Sequence, residues 1–386
     1  MKILQLLPTL DPSSGGVART VLATSRALAA RGHTTEIASL DGPNAAWVAD
    51  AGLPVHGLGD SLTTYSYSKK LLPWLRENAA RFDRVIVNGV WQYHSLAAWR
   101  AFAGTATPYY VFPHGMLDTW FKRTYPLKHL KKWPYWAWAE YRVLRDAAAV
   151  IFTSEEERLE TRKSFWLYRA REKICSLGIE VPPPASAEPF LARFPQLRGQ
   201  RILLFLGRLH PKKGCDLLVD AFERLAGNDP TFTLVLAGPD QISWANELRG
   251  RAARGGCGSR IIFAGMLEGE MKWSAFAAAE AFVLPSHQEN FGLAVAEALA
   301  VGRPVLISNR VNIWREIVAD EAGYVENDDL AGTTQLLERW RQTTSDVRAT
   351  MQENARRCFA RRFEIERAVD SLLEVLAAPQ KSAVFP

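Results

Sequence analysis

Short apolar runs, each followed by a helical or loop stretch, recur along this chain, and a proline-rich break divides them into two series. KILQLL reads as a strand, DPSSGG as a loop, VARTVLATSRALAARG as an amphipathic helix stopped at Gly32, and TTEIASL as a second strand. That is the opening of a βαβ unit. RVIVNG (84–89), PYYVF (108–112) and AAVIFTS (148–154) are apolar without alternation, as strands buried on both faces of a parallel sheet are. The stretch LGIEVPPPASAEPF (177–190), with three consecutive prolines, reads as a linker. After it the series restarts with RILLFLG, CDLLVDAFERLAG, FTLVLAG, RIIFAG, AAEAFVLPS, a short helix, RPVLIS and GYVEN. The pattern predicts an α/β protein of two Rossmann-like, doubly wound domains, residues 1–180 and 190–361. The helical stretch within 362–378 is expected to cross back to the first domain. Open α/β sheets bind ligands outside the carboxyl ends of their strands, so two such domains in tandem are expected to face each other across a cleft.

Composition agrees with this division. A chain of 386 residues, 48% hydrophobic and 23% charged, suits two globular cores rather than one. Cys175, Cys215, Cys257 and Cys358 are scattered without a C-x-x-C pair, which predicts a reducing compartment and gives no case for zinc. The opening MKILQLLPTL is too short for a signal peptide or a span, and no later run is long enough, so a cytoplasmic protein is expected. Residues 1–185 carry 23 Lys and Arg against 16 Asp and Glu, and the remainder 24 against 25. A basic first half suits an anionic substrate, a membrane surface or nucleic acid. No recognised nucleic-acid module accompanies the charge, so no nucleic-acid partner is expected.

Two stretches of the second half carry chemistry. In HQENFGLAVAE (287–297), Glu289 and Glu297 stand eight positions apart, and from Phe291 the chain reads FGLAVAEALAVG, a short apolar helix ending at Gly302. A carboxylate at Glu297 is costly there unless something pairs with it. It lies either on a polar stripe of a half-exposed helix or against a ligand. GRLHPKKG (207–214) follows the apolar strand LLFL and sets Arg208 and Lys213 in a strand-to-helix loop. An arginine fork with a lysine point charge suits a diphosphate, although basic loops of this kind are often solvated turns. It is not a P-loop, because the spacing and the Ser or Thr after Lys are missing.

Taken together, GRLHPKKG, LVLAGPD (234–240), FAG (263–265) and LPSHQENFGLAVAEALAVGRPV (284–305) resemble, in order and spacing, the retaining glycosyltransferases of family 4, which have the GT-B fold. The first half is similar more loosely. Gly15 and Gly16 resemble the family's glycine-rich loop, and His114 in FPHGMLD resembles its active-site histidine. The resemblance implies transfer of a hexosyl group from a nucleoside-diphosphate sugar to a glycan or lipid-linked sugar acceptor in surface polysaccharide synthesis (exopolysaccharide, capsule or lipopolysaccharide). It implies that Glu289 lies beside the donor sugar and that Glu297 accepts hydrogen bonds from the ribose, so that the ligand satisfies the buried charge. Backbone N–H groups of Asn290, Phe291, Gly292 and Leu293 would then face the diphosphate from a helix N-terminus. A departing diphosphate needs cations, donors or a metal to stabilise it. The chain has no D-x-D triplet, so no metal and no further cofactor is expected. Arg208, Lys213, the helix N-terminus and the Gly15–Gly16 loop would take that part.

Other readings remain beside this one. A GT-B 2-epimerase acting on the donor alone, or an inactive relative serving as a binding subunit, would share much of the pattern. His114 also reads as a capped core histidine, and Asp118 as a turn residue. His210 and His287 receive no role. WFKRTYPLKHLKKWPYWAWAEYR (120–142) interleaves aromatics with Lys122, Arg123, Lys128, Lys131 and Lys132. It suits docking on an anionic membrane, on the inner face of the cytoplasmic membrane, or an acceptor-side helix pair with a core of rings.

Overall fold

Each series of apolar runs forms one parallel sheet in the computed structural model, which describes residues 1–59 and 63–378. The chain divides into two units: residues 1–180 with the segment from Ile365 onward, and residues 181–364. The first sheet contains β1 Lys2–Leu7, β2 Thr34–Ser39, β3 Val55–Gly57, β4 Arg84–Asn88, β5 Tyr109–Phe112, β6 Ala149–Phe152 and β7 Glu172–Ile174. Their order is β3-β2-β1-β4-β5-β6-β7. The second contains β8 Arg201–Leu206, β9 Phe232–Ala237, β10 Ile261–Gly265, β11 Ala281–Leu284, β12 Val305–Ser308 and β13 Gly323–Glu326, in the order β10-β9-β8-β11-β12-β13. Counted within each unit, both begin 3-2-1-4-5-6, the doubly wound dinucleotide-fold order. The order reverses between β1 and β4 and again between β8 and β11. At such points the outgoing loops diverge and leave a crevice beyond the strand ends.

The lack of alternation in the strand sequences has a direct cause. Leu4, Leu6, Val85, Val87, Val111 and Phe152 join a core on one face of the first sheet, with Trp136 and Phe165. Their neighbours Ile3, Ile86, Tyr110, Phe112 and Ile151 join a core on the other. Both faces are apolar, so period two disappears from the sequence. The last helix, Ile365–Ala377, covers the second of these cores with Ile365, Val369, Leu372 and Leu376. Each such side chain contributes about 1.5–3 kcal/mol on full burial. Arg31 fastens the helix from outside by ion pairs to Glu366 (2.6 Å) and Asp370. The segment after the proline run belongs to the second unit, where Phe190 is buried and its N–H donates to Ser274 Oγ at 2.9 Å. Among the described residues no helix is long and apolar enough to cross a membrane.

Candidate active site

The loops at the reversal point of the second sheet are clipped together. After β8 the chain runs through Gly207 and Arg208 into a tight turn, Pro211–Lys213, where His210 Nδ1 accepts from the Lys212 N–H at 3.0 Å. Gly214 follows with φ 67°, and a Cβ there would lie 2.1 Å from the Pro285 carbonyl oxygen, so only glycine fits. The Lys212 carbonyl accepts from Ser286 Oγ (3.0 Å) and from the His287 N–H (2.9 Å), on the loop that leaves β11. Across this junction the half-buried Lys213 ammonium is paired with the Glu289 carboxylate. Glu289 is held through its backbone, its N–H donating to the Arg310 carbonyl and its carbonyl accepting from the Asn312 N–H, both at 2.9 Å. Burial, and then the neighbouring Lys212 and Arg208, pull the Lys213 ammonium down to about 7. The carboxylate in contact opposes that pull and favours the charged form. Arg208 is exposed and has no ion pair among the described residues. His287, given no role from sequence, pairs through Nδ1 with Asp328 (3.0 Å), which Arg310 also contacts (3.2 Å).

Beyond Gly292 (φ 78°) the helix Leu293–Ala300 begins. Asn290 and Leu293 are half-buried, while the Phe291 ring is core, edge-on to Phe363 at 5.5 Å. Only the Phe291 backbone is therefore left for a ligand. Glu297 is buried, as expected, but its charge does not wait for a ligand: Lys272 Nζ, on the helix Gly269–Ala278, lies 2.9 Å from its Oε1. This corrects the expectation that a ligand alone satisfies the charge. The lysine was hidden in GEMKWSAFAA, 25 residues earlier, a stretch that reads as apolar helix.

In the first unit, Gly15 adopts φ 118° as the cap of the helix that begins at Gly16. His114 follows β5 in the left-handed region (φ 51°), with Gly115 at φ 75° behind it. Its ring lies nearly parallel to Phe112, with centroids 5.5 Å apart, and its Nε2 is 3.0 Å from Asn88 Oδ1. Burial alone takes its pKa down to about 4. The turn is pinned by a residue that sequence reasoning missed. Glu157 Oε1 accepts the Gly115 N–H at 2.6 Å, and its Oε2 accepts both the N–H and the hydroxyl of Thr153 at 2.7 Å. The available signal was the box Ser154-x-x-Glu157 at a helix start, where Ser154 Oγ accepts the Glu157 N–H at 3.1 Å. Asp118 caps the helix Thr119–Thr124 by accepting the Trp120 N–H at 2.6 Å, as a turn residue does.

The basic aromatic stretch splits in two. Lys122, Arg123, Lys128 and Lys131 are exposed, and Leu127 (75%) and Leu130 (63%) stand out from the helix Pro126–Tyr135. Lys132 does not face outward as expected. It turns in over the rings of Phe121 (4.3 Å) and Trp91 (4.5 Å), and burial lowers its pKa. Trp136 is core. Trp166 (67% exposed), from a different segment, packs on Trp133 at 6.1 Å and adds to the outer face.

Two doubly wound units, each with its crevice at the strand reversal, define a GT-B architecture. Residues 15–177 match the glycosyl transferase 4-like domain and residues 190–358 the glycosyl transferases group 1 family, and the chain belongs to the glycosyltransferases of GT-B type. Over 123 residues it is 33% identical to mannosylfructose-phosphate synthase of Agrobacterium fabrum, covering 30% of this chain and 27% of that protein. Over 199 residues it is 28% identical to the lipopolysaccharide core biosynthesis mannosyltransferase LpcC of Rhizobium leguminosarum, covering 46% and 56%. The chain thus spans from about a quarter to somewhat over half of the length of these curated relatives. Among solved structures it is similar to Anabaena HepE in complex with UDP and glucose (TM-score 0.76, 17% identity, 98% of this chain and 100% of that one). It is also similar to sucrose-phosphate synthase of Thermosynechococcus elongatus (TM-score 0.77, 20% identity, 97% and 98%). At these identities the likeness is one of fold.

Proposed function

We propose that this chain is a retaining hexosyltransferase of family 4 that moves a hexosyl group from a nucleoside-diphosphate sugar to a glycan or lipid-linked sugar acceptor in surface polysaccharide synthesis. The observation that carries the reading is the Lys213–Glu289 pair at the strand reversal of the second sheet, with Arg208 unpaired on the same loop. A diphosphate needs fixed cations and N–H donors where its charge develops. Arg208 supplies a fork, Lys213 a point charge, and the backbone from Asn290 to Leu293 the amino end of a helix. Glu289 then lies beside the sugar, and Glu297, held by Lys272, faces the ribose. The bond from the anomeric carbon to the diphosphate oxygen breaks with its electron pair going to that oxygen. The acceptor oxygen attacks from the same face, and a phosphate oxygen takes its proton. The diphosphate joins Glu289 in favouring the charged form of Lys213, against its burial. By resemblance, His114 and the Gly15–Gly16 loop are the first unit's own candidate residues.

LpcC, by name a lipopolysaccharide core mannosyltransferase, and HepE, solved with UDP and glucose, support the substrate classes. The exposed cations and apolar side chains around residues 122–131 support work at the cytoplasmic face of an anionic membrane. A thermal-shift screen against nucleotide sugars tests the donor reading, since a bound ligand raises the melting temperature. At least one UDP- or GDP-sugar should do so, and should yield a glycoside when membrane lipid extract is added. An epimer formed from donor alone would overturn the transferase reading in favour of the epimerase.

A further inference from the structure

We propose that Asn88 and Gln5 are positioning residues that hold His114 as the neutral Nε2–H tautomer, presenting its Nδ1 as a hydrogen-bond acceptor for a hydroxyl of the sugar substrate. This rests on the reading that His114 belongs to the active site. Gln5 interrupts the apolar run KILQLL, and Asn88 ends β4; both are almost completely buried, at the reversal point of the first sheet. Buried amides are costly unless bonded, and these two bond each other: Asn88 Nδ2 donates to Gln5 Oε1 at 2.8 Å. The same nitrogen faces the carbonyl oxygens of Leu6 and Ile86 at 3.5 Å. The two carbonyl oxygens can only accept, so that end of the Asn88 amide is the NH2, and Gln5 turns its oxygen toward it. The Asn88 oxygen is therefore the atom 3.0 Å from His114 Nε2. An amide oxygen only accepts, so Nε2 carries the proton, and in a neutral ring Nδ1 is left with its lone pair. Among the described residues no group bonds Nδ1.

The surroundings keep the ring neutral. His94, whose Nε2 donates to the Asn88 carbonyl at 3.0 Å, is itself held down to about 4 by burial. Cys175, in the same cavity wall, has its thiol pushed up to about 11. Glu157 spends its oxygens on Gly115 and Thr153. Against Phe112, and with an amide rather than a carboxylate behind Nε2, the half-buried imidazole has no protein partner among the described residues that favours a second proton.

The test is nitrogen-15 NMR of the full chain labelled at histidine, with the His114 signals assigned by their loss in His114→Gln. In the wild type, His114 is expected as the Nε2–H tautomer without titrating between pH 5 and 9. An Nδ1–H tautomer, or an imidazolium near pH 7, overturns the proposal without any further variant. Asn88→Asp places a carboxylate behind Nε2, and should raise the His114 pKa by roughly 1–3 units. The pH–rate profile of that variant should gain an acidic limb at the same pKa, with activity recovering at high pH; a uniform loss at every pH overturns the positioning role. Gln5→Met, close in volume, should let both tautomers appear. Full turnover by His114→Gln overturns the active-site reading of His114 alone, because the tautomer is read by a method that needs no activity.

Discussion

Lys213 and Glu289, 76 residues apart in sequence, form an ion pair across the two loops that leave the neighbouring strands β8 and β11. The pair explains how a carboxylate is kept beside a site proposed for a diphosphate: the nearest cation is shared. Lys213→Ala removes that cation and leaves Glu289 to repel the donor. Arg208→Ala removes an exposed, unpaired fork. Each is expected to lower turnover by roughly two to three orders of magnitude, the scale of losing one transition-state donor. Steady-state rates decide this, and near-normal turnover in both variants would remove the diphosphate from this loop.

Glu297 and Lys272 separate stability from binding. Lys272→Met removes the cation held 2.9 Å from the buried Glu297 carboxylate, at a cost of about 3 kcal/mol and a fall in Tm on the order of 10 °C. Lys272→Met with Glu297→Gln should regain most of that stability. It should not regain donor affinity, because the proposed ribose contact is a ground-state one. Glu297→Ala should likewise raise the donor KM more than it lowers kcat. A double variant with wild-type donor KM would show Glu297 to be structural only.

The parts of the fold that could be read from sequence are those whose signal is local. Buried parallel strands are continuous apolar runs, so β1, β4 and β8 stand out in KILQLL, RVIVN and RILLFL. The edge strands β3 (VHG) and β7 (EKI) do not, because three residues that are half-exposed in β3 and mostly exposed in β7 leave no pattern. The same distinction runs through the site. Arg208, Lys213, Glu289 and Glu297 lie in two contiguous motifs, whereas Lys272, Glu157 and the Gln5–Asn88 bond depend on which elements the fold brings side by side. Lys131 and Lys132 are adjacent and identical in type, but roughly 100° of helix rotation turns one to solvent and the other onto Trp91.

A third expectation concerns the metal. The chain lacks a D-x-D triplet, and its proposed diphosphate loop carries Arg208 and Lys213 instead. Activity should therefore survive excess EDTA, and the product should keep the donor's anomeric configuration. Proton NMR of the product reads the second point, and an inverted anomer would rule out the proposed mechanism.

Glu140 gives a pH signature in the first unit. It is fully buried; Oε1 accepts the Trp91 N–H (2.8 Å) and the Ser95 hydroxyl (2.6 Å), and Oε2 has no hydrogen-bond partner among the described residues. Burial pushes its pKa up to about 7, against those two bonds and the nearby Lys132. A raised acid binds its proton more tightly when folded. Its contribution is present below the unfolded value near 4.5 and is lost as pH rises through about 7. Glu140→Gln should therefore gain about 3 kcal/mol on the wild type between pH 4.5 and 8. His94 and His114, held near 4, lose stability as pH falls below about 6.5, but they do so in both proteins and cancel in the difference. Denaturant melts at pH 5 and pH 8 measure this, and a pH-independent difference would mean that Glu140 stays charged.

The last expectation concerns the membrane, and the structure narrows it. Lys122, Arg123, Lys128 and Lys131 face solvent, while Lys132 lies against rings and contributes nothing outward. Each of the four adds about 1 kcal/mol of attraction to an anionic bilayer, falling as salt shortens the screening length. Leu127, Leu130, Trp166 and Leu167 supply exposed apolar surface beside them, with Trp166 resting on Trp133 and the Lys122 ammonium bonded to the Lys163 carbonyl at 3.2 Å. Salt should therefore release the protein from vesicles only in part, since inserted rings and leucines are not screened. Co-sedimentation with anionic and neutral vesicles, at low and high salt, measures both components. Changing the four cations to Gln should abolish the salt-sensitive part and leave a weak remainder. Changing Leu127, Leu130 and Trp166 to Ser should instead abolish the salt-resistant part. If neither set of changes alters sedimentation with anionic vesicles, this face has another partner, and the proposed lipid-linked acceptor would have to be reached without it.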